Sequence, residues 1–135
     1  MRLLIDGNII LDVLQKREPH YENSAKIWKM CETDMVAGYV SALTFSNLIY
    51  VMRKELDEKK ISEVYKKLSL IFKFVDLKAS DVSAAVDMQW EDFEDAVQAA
   101  TAKRIHADYI ITRNVKDFSK SEVAVFSPTE FLTRL

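Results

Sequence analysis

The chain has 135 residues, of which 49% are hydrophobic and 30% charged, with a formal net charge of −2. This length predicts a single domain over residues 1–135, and the slight negative charge argues against a protein that coats nucleic acid through a basic face. The one cysteine, Cys31, excludes an internal disulfide and favours a reducing, cytoplasmic location. No apolar run approaches the roughly 20 residues of a membrane span, so we expect no membrane association.

The predicted elements alternate between short apolar strands and amphipathic helices. In chain order they are a strand at Arg2–Asp6, helices at Asn8–Leu14 and Tyr21–Glu32, a strand at Met35–Ala42, helices at Leu43–Leu56 and Ile61–Ile71, a strand at Phe72–Leu77, helices at Ser80–Met88 and Asp92–His106, strands at Tyr109–Thr112 and Val123–Phe126, and a final helix opened by Ser127 and Pro128. This alternation predicts an α/β fold with a parallel sheet covered by helices.

Carboxylates stand at the ends of three of these elements. Asp6 follows the first strand, Asp92 and Asp95 open a late helix, and Asp117 lies in the turn after the fourth strand. Each has a structural alternative, because acids cap helix starts and Asp117 occurs in a turn-like sequence. Glu94 is expected to be solvated.

Convergence favours a metal site over these separate structural roles. Ligands of doubly wound sheets bind at the carboxyl ends of the strands, where the strand order reverses. Clustered acids raise one another's pKa unless a cation neutralises them. Oxygen ligands of this kind suit Mg²⁺ or Mn²⁺ rather than zinc.

Three stretches resemble the PIN-domain family, which includes the VapC-like toxin ribonucleases. They are Leu3–Asp12, the pair Asp92–Ala102 and Ala107–Phe118, and the ending Ser127–Leu132. The similarity spans essentially the whole chain in the same order. It implies a three-layer α/β/α sandwich with a central, mostly parallel sheet. It also implies a metal-dependent ribonuclease, commonly the toxin of a toxin–antitoxin pair, that forms homodimers and is inhibited by an antitoxin.

The resemblance assigns metal binding to Asp6 and Asp95. Two departures stand out: Asn47 lies where the family usually has Glu, and Asn114 lies where it usually has Asp, with Asp117 one turn away as a substitute. An amide oxygen can bind a metal but adds no negative charge, so we expect weaker binding and one ion rather than two.

We therefore expect an endoribonuclease that cleaves RNA with Mg²⁺ or Mn²⁺ held by Asp6, Asp95 and Asp117. Further roles follow for the neighbouring polar residues: Asn8, Asn47, Thr112 and Asn114 would orient ligands, while Arg113 and Lys116 would contact substrate phosphate or remain solvated charges. The alternative, suggested by the two amides, is a weak or inactive PIN-like module that binds RNA or protein.

Overall fold

The computed structural model describes residues 1–135, which form five strands, seven α-helices and one 3-10 helix. The strands are β1 (Arg2–Ile5), β2 (Ala37–Ser41), β3 (Lys73–Val75), β4 (Tyr109–Ile111) and β5 (Ala124–Phe126). The helices are α1 (Gly7–Leu14), α2 (Tyr21–Glu32), α3 (Ala42–Val51), α4 (Glu58–Ile71), α5 (Ala79–Met88), α6 (Phe93–Arg104) and α7 (Pro128–Thr133), and the 3-10 helix is Val115–Phe118. None of the helices is long and apolar enough to cross a membrane.

The five strands form one sheet in the order β3-β2-β1-β4-β5. Every neighbouring pair is parallel, so the predicted α/β class is confirmed and the sheet is entirely parallel. The chain adds β2 and β3 on one side of β1 and then returns to add β4 and β5 on the other. The order in which the chain adds strands therefore reverses between β1 and β4.

Helices cover both faces of the sheet, which makes the predicted three layers. Leu3 and Ile5 of β1 are fully buried in a large core with residues of α1, α2 and α7. Leu4 points to the opposite face, as alternation along a strand requires, and packs with Ala99 and Ala102 of α6. The central strand thus joins two hydrophobic cores and fixes α1 and α6 on opposite sides of it.

Polar side chains cap the helices that begin near the candidate site. Asp6 accepts the backbone N–H of Gly7 at the start of α1. Asp92 caps α6, and Ser41 caps α3 through the backbone N–H of Thr44. Both structural roles that the sequence offered for Asp6 and Asp92 are therefore real. For Asp6, capping uses only part of its hydrogen-bonding capacity.

Helix α3 is shorter than predicted, because it ends at Val51 and not at Leu56. A turn follows in which Met52 is buried, whereas Val51 is 49% exposed. The next helix begins early, since Asp57 accepts the backbone N–H of Lys60 and caps it. A charged run that can be solvated in a turn competes with continuation of the helix, and the cap at Asp57 decides the outcome.

Cys31 is buried on α2, and burial raises the pKa of its thiol to about 12. A thiol with so high a pKa is almost never ionised near neutral pH, so it is a poor nucleophile. Cys31 is therefore a small residue of the hydrophobic core.

Candidate active site

The reversal between β1 and β4 places two strand ends side by side. The backbone N–H of Asp6 donates to the carbonyl of Ile111 at 2.9 Å, so the residues after both strands share one edge of the sheet. Such an edge forms a crevice because the chain segments that follow β1 and β4 leave it in opposite directions. Asp6 and Thr112 are the first residues beyond the two strands, so both lie at this edge.

Asp6 is held by hydrogen bonds from several directions. Thr112 Oγ1 donates to its Oδ2 at 2.7 Å, and the Asn8 amide lies 3.5 Å from the same oxygen. Gln98 Nε2 lies 3.5 Å from Oδ1. Burial nevertheless raises the pKa of Asp6 above its usual value of 3.8, because desolvation outweighs these bonds and the charge of nearby Asp92 adds to it.

Asp95 faces the same crevice from the first turn of α6. Its backbone N–H donates to Asp92 Oδ1 at 3.0 Å, so the cap fixes where the carboxyl of Asp95 stands. The pKa of that carboxyl is raised to about 7, mainly by burial and then by the negative charges of Asp92, Asp6, Asp117 and Glu94. A neighbouring cation would stabilise the ionised form of this carboxyl, which burial and the nearby acids disfavour.

Asp6 and Asp95 line one cleft of about 150 Å³ between α1, α3 and α6. Its other polar members are Asn8, Thr44, Asn47, Glu94 and Gln98. The amide of Asn47 donates to Glu94 Oε1 across the cleft. Glu94 is exposed, as the sequence predicts, and it also accepts this hydrogen bond because α3 and α6 bring Asn47 against it.

Asp117 and Lys116 lie apart from this cleft. They line an adjoining depression of about 500 Å³, together with Asp92, Trp90 and Lys120. The cause is the 3-10 helix after β4, which carries Asp117 outward to an exposed position. Its charge still reaches Asp95. Of the three predicted ligands, two share the cleft and the third stands at its rim.

The predicted orienting residues join the start of α1 to the turn after β4. Asn8 Nδ2 donates to Thr112 Oγ1 at 3.3 Å, and Asn8 Oδ1 accepts the backbone N–H of Arg113, also at 3.3 Å. Thr112 Oγ1 in turn accepts the backbone N–H of Asn114 at 3.1 Å. Asn8 and Thr112 thus position Asp6, while Asn114 takes part through its backbone.

The structure does not bring the side chain of Arg113 into the cleft. Its guanidinium forms two hydrogen bonds to Asp12, with Nε–Oδ2 at 2.9 Å and Nη2–Oδ1 at 3.1 Å. Asp12 is fully buried and also accepts a hydrogen bond from Ser24 Oγ at 2.8 Å. A buried carboxylate demands such a partner, so Arg113 joins α1 to the turn after β4. Of the two residues predicted to contact phosphate, only Lys116 lies beside the site.

Gln98 is the site residue that the sequence interpretation missed. It follows Asp95 by three positions on α6, so both side chains point from the same face of the helix. Gln98 is 4% exposed, and its Oε1 has no hydrogen-bond partner within the protein. The spacing was visible in the sequence, but its burial and its contact with Asp6 were not.

The donor set suits a hard divalent cation. Every polar group in the cleft offers oxygen or an amide, with no thiolate or imidazole among the lining residues, and hard cations such as Mg²⁺ and Mn²⁺ prefer oxygen. No three His, Cys, Asp or Glu side chains lie close enough together to form a ready metal cage. The fit rests on two acids with raised pKa values and the unpartnered buried oxygen of Gln98.

Comparison with known proteins places this arrangement in a family. A model of the PIN domain matches residues 2–116. No curated protein sequence matches the chain. Among solved structures, FitAcB from Neisseria gonorrhoeae is 27% identical, with a TM-score of 0.66 over 94% of this chain and 98% of that one.

Two more distant structures share the fold. A toxin–antitoxin complex from Klebsiella pneumoniae is 22% identical, with a TM-score of 0.73 over 93% of this chain and 97% of that one. VapC20 from Mycobacterium tuberculosis, a toxin that cleaves the sarcin-ricin loop, is 10% identical, with a TM-score of 0.63 over 80% and 86%. The family model covers most of the chain and includes β1, β4 and all the residues of the cleft. The chain therefore belongs to the PIN domain family.

Proposed function

We propose that the chain is a metal-dependent endoribonuclease and the toxin of a toxin–antitoxin pair. The observation that carries this proposal is the cleft where the sheet reverses, in which Asp6 and Asp95 stand together with raised pKa values. A site that holds two such acids in a partly buried cleft is suited to bind a divalent cation. Membership of the PIN family supports nuclease chemistry.

Asp6 and Asp95 would hold the metal, with Asp117 contributing charge from the rim. When bound, Mg²⁺ or Mn²⁺ would lower the pKa of a water molecule and would stabilise the charge that develops on the phosphate oxygens. Asn8 and Thr112 keep the carboxylate of Asp6 oriented through their hydrogen bonds. Lys116 is exposed in the adjoining depression and supplies positive charge for a substrate phosphate.

The structural neighbours also support a protein partner. The neighbour from Klebsiella pneumoniae is a toxin–antitoxin complex, and FitAB has been solved bound to a DNA fragment. We propose that this chain likewise binds a cognate antitoxin, forms a homodimer and acts in the cytoplasm. Co-purification with the product of a neighbouring gene would support the partner, whereas a chain that stays alone beside that product would contradict it.

The nuclease proposal is tested by cleavage of a fluorescent single-stranded RNA with Mg²⁺, Mn²⁺ or EDTA. We expect cleavage with either metal, none in EDTA, and a loss of more than about 100-fold in Asp6→Asn and in Asp95→Asn. Asp87→Asn is the control, because Asp87 is exposed on α5 and lines neither the cleft nor the depression. Cleavage at the wild-type rate in either site variant would refute the assignment.

A module that binds RNA or protein without cleaving it is the second candidate. The observation that favours it is the pair of amides, Asn47 and Asn114, at positions where acids were expected. The same assay separates the two functions: retention of labelled RNA without cleavage under any metal condition selects the binding module. Rescue by Asn47→Glu would show that the missing charge is the reason.

A further inference from the structure

The side-chain amide of Gln98 is buried, and neither of its ends is well satisfied. Its Nε2 lies 3.5 Å from Asp6 Oδ1, the long limit of a hydrogen bond, and its Oε1 has no partner within the protein. Buried polar atoms are paired in the great majority of cases, because an unpaired one costs free energy. A residue kept in this state beside two acids calls for an explanation from the site itself.

The position of Gln98 ties it to the acids and not to the core. It lines the cleft with Asp6 and Asp95, one turn along the same face of α6. Thr101, the next polar residue on this helix, is also buried but donates to the carbonyl of Val97. That bond satisfies the Thr101 hydroxyl within its own helix. Gln98 has no such internal partner for its oxygen.

The charge of Asp6 decides which end of the amide faces it. A carboxylate accepts only hydrogen bonds, so the amide must turn its NH₂ group towards Asp6 and its oxygen away. The terminal torsion of Gln is broad and roughly two-fold, so both orientations of the amide agree with its rotamer preferences. A cation bound to Asp6 would neutralise its charge, so the NH₂ group would no longer have to face that carboxylate, and the cation would attract the amide oxygen of Gln98.

We propose that Gln98 is a metal-site residue that presents its Oε1 to a divalent cation held by Asp6 and Asp95. This inference rests on the proposed function and adds a third oxygen to a cleft in which Asn47 stands where an acid was expected. The amide donates to Asp6 when the carboxylate is unshielded and turns its oxygen to the cation when metal is bound.

The test is titration calorimetry with MnCl₂ on the purified full-length chain, together with urea unfolding of each variant in EDTA. Gln98→Met keeps the length of the side chain and removes both polar atoms. We expect it to bind Mn²⁺ about tenfold more weakly than wild type, with unchanged or higher stability in EDTA because the unpaired oxygen is gone. Gln98→Glu restores an oxygen with charge and should bind Mn²⁺ at least as tightly as wild type.

Thr101→Val is the matched control, since it removes a buried polar atom from the same helix outside the cleft. It should leave Mn²⁺ affinity unchanged. The inference is overturned if Gln98→Met binds Mn²⁺ like wild type. It is also overturned if Gln98→Met unfolds more easily than wild type in EDTA and its loss of Mn²⁺ affinity is no larger than its loss of folding free energy accounts for. If wild type binds Mn²⁺ and Gln98→Met binds it equally well, only this inference is refuted. If wild type binds no Mn²⁺, the proposed metal-dependent function is refuted as well.

Discussion

Asp95 should make the stability of the protein fall as the pH rises. Burial and neighbouring acids raise the pKa of its carboxyl from 3.8 to about 7 in the folded chain. The folded protein therefore holds this proton more tightly than the unfolded chain does. Stability is lost as the pH rises from the unfolded pKa towards the folded one, and the loss persists above it. Asp95→Asn removes the titration and with it the loss.

The magnitude follows from the two pKa values. A change from 3.8 to about 7 corresponds to about 4 kcal/mol of folding free energy when complete, of which about 3 kcal/mol develops between pH 5 and pH 8. Solvent reaches part of this carboxyl and salt screens the acids around it, which reduces the expected value to roughly 1–2 kcal/mol. The stability advantage of Asp95→Asn over wild type should grow by that amount between pH 5 and pH 8.

Urea unfolding followed by circular dichroism, in EDTA at pH 5, 6.5 and 8, measures this difference. Asp87→Asn serves as the control, since it removes an exposed carboxylate of α5 and should show no comparable growth with pH. Added Mn²⁺ at pH 8 should recover stability in wild type and not in Asp95→Asn. The reasoning is refuted if the gap between Asp95→Asn and wild type stays constant, within about 0.3 kcal/mol, over this pH range.

Three further outcomes are expected. Asp12→Ala should lower the free energy of urea unfolding by about 3–5 kcal/mol, because it leaves the guanidinium of Arg113 without its buried partner; a loss below about 1 kcal/mol would contradict this. Gly38→Ala should cost about 1–3 kcal/mol in the same assay, since its Cβ would stand 2.5 Å from Cys31 Sγ, and an unchanged urea midpoint would show that the strand can shift. Lys116→Gln should weaken binding of a single-stranded RNA in EDTA and lower the slope of log affinity against log salt by about 1, whereas an unchanged slope would exclude a phosphate contact.

The sequence predicts the acids of the site because their positions follow from local rules. Asp6 follows an apolar strand and Asp95 stands three residues after a capping acid, so element ends alone bring both to one edge of a parallel sheet. Asp117 obeys the same rule, yet the 3-10 helix that contains it turns the side chain to the rim. A short helix of this kind leaves no periodicity to detect.

Contacts between distant parts of the chain escape such rules. Arg113 reads as a solvated charge beside the site, but its partner, Asp12, lies 101 positions earlier and is buried by helices packed on the same face. Gln98 differs from other polar residues of a helix only in what surrounds it. In both cases burial sets the role, and burial depends on how the helices pack.

The central pairing of β1 with β4 also determines when the site comes into existence during synthesis. Asp6 and Thr112, which hydrogen-bond to each other, are separated by 106 positions. A ribosome adds about 5–20 residues each second, so β1 waits on the order of 5–20 s for its neighbour. The nascent chain carries Asp6 throughout that interval, but the cleft cannot close until β4 has emerged. The cleft is therefore assembled only after Thr112 has left the ribosome, late in the synthesis of these 135 residues.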